Sequence, residues 1–211
     1  MISRRADPSL PSREDSALRT DAGSEGRPYG APLPRWRDAR RRLSQAAIAN
    51  AVLELAAVQP ASTLSVAVVA ARAEINRATF YAHAVSVIGF LQALMALRLR
   101  ERVLADETNS APPSLRTLVT SVVAHIERYR AVYQTALADP AAKASLADGV
   151  SLELRDKLLE SRLTIEPDEA VVLSATVNQA IFLELESEQP LSVDVVITRL
   201  ASAAHTVDQL L

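Results

Sequence analysis

Cysteine is absent from this sequence, which excludes disulfides and thiolate metal sites. A reducing compartment suits such a chain, and a cytoplasmic protein is expected. Long apolar runs are also missing. The longest, Ala84 to Leu97, includes Ser86 and Gln92 and is too short to span a bilayer, so a buried helix is expected there and no membrane partner. Arg4 and Arg5 lead into polar residues, so no secretory signal is expected at the start. There is no glycine-rich phosphate loop and no G-x-S-x-G elbow. His83, His125 and His205 lie far apart, and no His/Asp/Glu cluster has metal-ligand spacing. Carboxylates are plentiful, but none stands out as a paired acid and base. The expectation is a protein with no catalytic residues, no metal and no cofactor.

What is present points elsewhere. The 211 residues suit one or two compact domains, and 49% hydrophobic content is enough for a core. Charge is unevenly spread. Residues 1 to 34 hold five arginines and five acids, net zero; residues 35 to 83 hold seven arginines and three acids, net +4; residues 84 to 211 hold eleven basic and seventeen acidic residues, net −6. A basic stretch on an acidic body gives a polyanion attraction at one end and repulsion at the other.

Residues 1 to 34 carry five of the eleven prolines and three of the five glycines, with few large apolar side chains. Such a segment cannot bury enough surface to offset its ordering entropy and reads as a disordered tail. Beyond it Ala, Leu, Arg and Glu dominate, glycine falls to Gly89 and Gly149, and no Asn-Gly or Asp-Gly hairpin signal occurs. Prolines fall at breaks: Pro60, Pro112 with Pro113, Pro140, Pro167 and Pro190. An all-α protein is expected.

A first helix is expected from Ser44 to Ala57, with Ser44 as N-cap, Leu43 stapling onto Ile48, and Ile48, Val52, Leu55 and Ala56 facing inward. A short helix follows from Val66 to Arg72, capped by Ser65. After Ala73-Glu74-Ile75, Asn76 caps a third helix ending near His83. Two short helices joined by a three- or four-residue turn form a helix-turn-helix, whose second helix enters the DNA major groove.

The run from Ser65 to His83, SVAVVAARAEINRATFYAH, resembles the DNA-binding segment of TetR-type (TetR/AcrR) transcriptional regulators. There a T-V-x-x-I-A-x-x-A-G-V-S stretch leads into x-x-T-[LF]-Y-x-[HY]-F. The resemblance covers roughly residues 43 to 95, about a quarter of the chain. It implies a three-helix DNA-binding domain over residues 35–86 and a helical ligand-binding and dimerisation domain over 87–211. It also implies a homodimeric repressor, released from a palindromic operator on double-stranded DNA by a small-molecule effector. Its DNA-binding positions fall on Ser65, Asn76, Arg77, Ala78, Thr79, Tyr81 and His83. Arg77 and Ala78 would face bases, while Thr79, Tyr81 and His83 would hold phosphates. Other roles stay open for Tyr81 (a half-buried core ring), His83 (a surface imidazole) and Arg77 (a solvated charge). Four positions depart from the pattern: the turn glycine is Glu74, strained by roughly 1 kcal/mol if its φ is positive; the Phe after the His is Ala84; a phosphate-touching Lys is Val87; and Val68 takes a polar position. Glu74, Ala84 and Val87 motivate an alternative function, a helical ligand- or partner-binding protein that keeps the helix-turn-helix as scaffold. Arg40, Arg41 and Arg42, with Arg35, Arg37 and Trp36, form either an arm against DNA or a solvated basic stretch.

In the acidic part, one helix is expected from about Val87 to Leu104 and another across Ser114 to Ala138. His125, Tyr129 and Tyr133, four apart, share an edge. That edge either lines an effector cavity, with Asn178 as a further candidate, or belongs to a packed core. Helices from Pro167 to about Glu186 and from Ser192 onwards form an antiparallel pair. Val171, Ala175 and Phe182 on the first, and Val196, Leu200, Ala204 and Val207 on the second, are the expected dimer surface; packing within one chain is the alternative.

Overall fold

The structure is a computed structural model that describes residues 35–107, 114–161, 165–187 and 189–210, with side chains from Asp38 to Ser202 within those ranges. The expected tail, residues 1 to 34, lies outside the described residues. By its internal contacts the chain divides into Met1–Asp38 and Ala39–Leu211. Of the first unit, the described residues are the first turn of one helix; everything below concerns the second.

Among the described residues every regular element is helical: α1 (Arg35–Ala56), a 3-10 turn (Ala61–Thr63), α2 (Val66–Arg72), α3 (Arg77–Tyr81), α4 (Val87–Glu107), α5 (Leu115–Arg128), α6 (Arg130–Leu137), α7 (Pro140–Glu160), α8 (Pro167–Leu185) and α9 (Val193–Leu210). The caps follow from the sequence. Ser65 Oγ accepts from Val68 N at 3.3 Å and Asn76 Oδ1 from Thr79 N at 2.8 Å. Ser114 and Asp139 cap α5 and α7 in the same way. Pro167 opens α8, where Glu166 and Glu169 close a capping box.

Two expected boundaries need correction. Ser44 is not an N-cap, because α1 starts at Arg35. The arginines, Ala39 and Leu43 are good helix formers with no proline or glycine among them, so nothing stops the helix short of Pro34. The Ser44 hydroxyl instead donates to the Arg41 carbonyl at 3.0 Å, and Leu43 is 73% exposed and staples nothing. The helix expected over Ser114 to Ala138 is broken at Tyr129 (φ −112°, ψ 25°) into α5 and α6. Apolar residues keep their helical spacing through the break, so periodicity carries no sign of it.

Buried side chains form one contiguous core running from Ile48 on α1 to Val196 on α9. In the body, α7 packs on α4, α5, α6 and α8, while α9 packs on α5 and α8. No described helix is long and apolar enough to cross a membrane.

Candidate nucleic-acid interface

The geometry of α3 sorts its residues by depth. Phe80 is fully buried and meets Phe90 of α4 at 6.1 Å between ring centroids. Tyr81, next to it, stands edge-on to Phe80 and is 59% exposed, so it is not a half-buried core ring. Arg77 and Ala78 are exposed at the start of α3. The unit thus shows an Arg, an Ala and a Tyr outward on one short helix, with the exposed Arg40, Arg41 and Arg42 in the same unit. Guanidinium groups can pair bidentately with guanine or hold phosphates, and a phenol can donate to phosphate.

Other expected contact residues are engaged within the chain. Ser65 and Asn76 cap their helices, and Thr79 Oγ1 donates to Asn76 Oδ1 at 3.0 Å. His83 is partly buried, with Nε2 2.8 Å from Ser44 Oγ. The hydroxyl of Ser44 has one proton, committed to the Arg41 carbonyl, so neutral His83 donates from Nε2 and carries its lone pair on Nδ1. Burial first, and the Arg41 charge second, hold its pKa below the ordinary imidazole value. In that form His83 braces α1 against the end of α3 and has no second N–H to offer a phosphate.

The departures from the resembled pattern have structural readings. Glu74 has φ 54°, the left-handed region that favours glycine. Glu74→Gly is therefore expected to raise stability by about 1 kcal/mol. Thermal unfolding measures it, and a lower midpoint would show that the strain relieved is smaller than the entropy glycine adds to the unfolded chain. Val87 points into the core, where it and Phe90 supply contact that the small Ala84 lacks. Val68 is 46% exposed, an apolar residue on the outer face of α2.

The body carries the other candidates. His125 and Tyr133 are buried and hydrogen-bonded, Nε2 to hydroxyl, at 3.1 Å. Tyr133 meets Phe182 edge-on at 6.1 Å, and Tyr129 lies 5.2 Å from the His125 ring. The edge is packed side chain on side chain. Burial holds the His125 pKa at about 4, and burial together with Tyr129 pushes the Tyr133 phenol far up. Asn178 donates from Nδ2 to the Ala147 carbonyl at 3.2 Å, while its buried Oδ1 has no partner among the described residues.

On α8, Val171 and Ala175 are exposed, together with Val172 and Leu183. Phe182 and Val196 are not available to a partner surface: both are buried in the chain's own core, Phe182 against Tyr133. Leu200 is partly buried against that core, and the side chains of Ala204 and Val207 lie outside the described residues. An open groove of about 710 Å³ runs between α8 and α9, lined by Ala175, Thr176, Gln179, Leu183, Thr198 and Arg199 among others.

No protein-family model and no curated protein matches the chain. Solved structures resemble it at low identity. The TetR family repressor AlkX from Dietzia sp. strain DQ12-45-1b is 15% identical, with a TM-score of 0.48 over 76% of this chain and 94% of that one. A TetR/AcrR family transcriptional regulator from Aquifex aeolicus VF5 is 15% identical, with a TM-score of 0.46 over 78% of this chain and 99% of that one. The multidrug binding protein EbrR, solved with imidazole, is 22% identical, with a TM-score of 0.47 over 82% of this chain and 94% of that one. At this level of likeness no role transfers, and the interface stands on the chain's own residues.

Three polar links across the core have no counterpart among the sequence candidates. Arg100 pairs with the buried Glu153, Nε to Oε2 at 2.9 Å. Glu127 accepts from Leu191 N, and Arg130 donates to the carbonyls of Ser187 and Gln189, so the α5–α6 break grips the loop before α9. Asp139 reaches Ser62. An Asp before a proline is a readable N-cap signal, but its distant partner has no trace in sequence.

Proposed function

We propose that this chain is a DNA-binding transcriptional regulator of the TetR kind, a cytoplasmic homodimer and a repressor that a small molecule releases from a palindromic operator. The observation that carries the reading is α3 itself: Phe80 anchors it from beneath while Arg77, Ala78 and Tyr81 stand free on its outer side. Base and phosphate contact needs such a face, with a guanidinium and a phenol clear of the chain's own core. The basic content of residues 35 to 83 against the acidic remainder supports the same end as the DNA side. The α8–α9 groove, with Val171, Ala175 and Leu183 exposed beside it, supports a two-fold interface between copies. Such symmetry presents two α3 helices to half-sites about 34–36 Å apart. Entry of an effector at His125, Tyr129, Tyr133 and Asn178 requires those packed rings to part, which ties binding to rearrangement of α5, α6 and α8.

Footprinting on the DNA flanking the coding region, at several salt concentrations, tests this. The expected result is a protected palindrome whose affinity falls steeply with salt, by a log–log slope of about −0.9 for each phosphate neutralised. Arg77→Ala should cost about 1–3 kcal/mol and relax base preference at one position. Tyr81→Phe should weaken binding to all sequences alike. If neither variant altered binding, α3 would not be the reading helix. If no palindrome were protected, the chain would instead be a helical ligand- or partner-binding protein.

A further inference from the structure

Between α1 and α2 the chain passes over the junction of α6 and α7. The Ala57 carbonyl there lies 3.2 Å from Thr135 Oγ1, whose single proton it shares with the nearer Ala131 carbonyl at 2.8 Å, and Ser62 N donates to Asp139 Oδ2 at 2.8 Å. Asp139 is 3% exposed, and its other oxygen accepts from Ala142 N at 3.2 Å to cap α7. One carboxylate therefore holds two segments that are distant in sequence. Ala61 and Leu64 flank Ser62 and are buried, and the 3-10 turn packs on both α4 and α7.

Besides the core it shares with α4, where Phe80 meets Phe90, the helix-turn-helix unit thus has two attachments to the body. One is covalent, where α4 begins at Val87 directly after the α3 turn. Apolar packing is non-directional, whereas the grip on the α1–α2 connection, well away along the chain, adds directional bonds that constrain the angle. A buried carboxylate suits this task. Hydrogen bonds to a charged acceptor are the strong ones, and a buried charge that loses its partner is costly, so the grip is either made or broken. Burial disfavours its charge, and the N–H donations from Ser62 and Ala142 outweigh that, holding the carboxyl below its ordinary pKa range.

We propose that Asp139 is a positioning residue that sets the angle of the helix-turn-helix unit on the helical body, and so the spacing of the two recognition helices in the dimer. This rests on the DNA-binding reading above.

The test uses the full chain and Asp139→Ser, which keeps an oxygen for capping α7 but is too short to reach Ser62. Operators are compared whose half-sites are moved apart or together by one base pair, a change of about 34° in rotation. The native protein should prefer one spacing by about tenfold or more, and the variant should bind all spacings within about threefold, as loss of a charged hydrogen bond implies. Exchange of the Ser62 amide hydrogen should quicken by about tenfold or more in the variant. An unchanged spacing preference alongside faster Ser62 exchange would overturn the proposal, and so would unchanged exchange. Failure of the native protein to bind any spacing would instead overturn the DNA-binding reading. Should Asp139→Ser not fold, Asp139→Asn keeps the shape and an oxygen for the α7 cap while removing the charge that strengthens the Ser62 bond, and a weakened spacing preference is required of it.

Discussion

Phe80→Ala is expected to abolish operator binding and to lower stability by about 3–5 kcal/mol. Phe80 is fully enclosed, between the helix-turn-helix and Phe90 on α4. Its loss removes the transfer energy of the ring and leaves a cavity that short, well-capped helices cannot easily close. The helices around it, seven residues in α2 and five in α3, are far too short to persist without tertiary packing. Urea unfolding checks the first part and gel-shift the second. A midpoint loss worth less than about 1 kcal/mol would show that Phe80 does not hold the unit together.

Acid should destabilise the body well before its carboxylates titrate. His125 is buried neutral, with its pKa lowered from 6.5 to about 4 by burial. Between those two values the unfolded chain takes a proton that the folded chain refuses. Stability contributed by neutral His125 is thus complete above pH 6.5, falls as pH drops towards 4, and levels off below that. At 1.36 kcal/mol per unit the loss amounts to about 3 kcal/mol. Denaturant unfolding at pH 7.5 and at pH 4.5 measures it. In His125→Gln the Tyr133 contact is impaired at both pH values, but the slope over this window should flatten. An equal slope in both proteins would place the acid sensitivity elsewhere.

Much of the fold was legible because local signals agree. Ser65, Asn76 and Pro167 mark helix starts by side-chain chemistry, and the structure puts helices where they point. The outward face of α3 was legible from a resemblance carried by two short helices and the turn between them. What escaped was set by distance or by composition. Ser44 looks like a cap, yet the arginines before it are themselves helix formers. Tyr129 breaks a helix whose apolar spacing never falters. Phe182 and Val196 fit a surface stripe and the core stripe equally well, and only the folded chain, which buries both and sets Phe182 against Tyr133, decides for the core. His83 reads as a phosphate contact until Ser44, 39 positions earlier, is seen to occupy its Nε2.

The break at Tyr129 has a consequence for how this chain can change over time. It isolates α6 as eight residues, with Arg130 reaching the loop before α9 at one end and Thr135 reaching Ala57 near the other. Adding or deleting a single residue between them would turn one end against the other by about 100°, and one of the two grips would face the wrong way. Substitutions on the outer side of α6 are cheap by comparison. In α6, a change of length would therefore disturb the fold more than most changes of residue would.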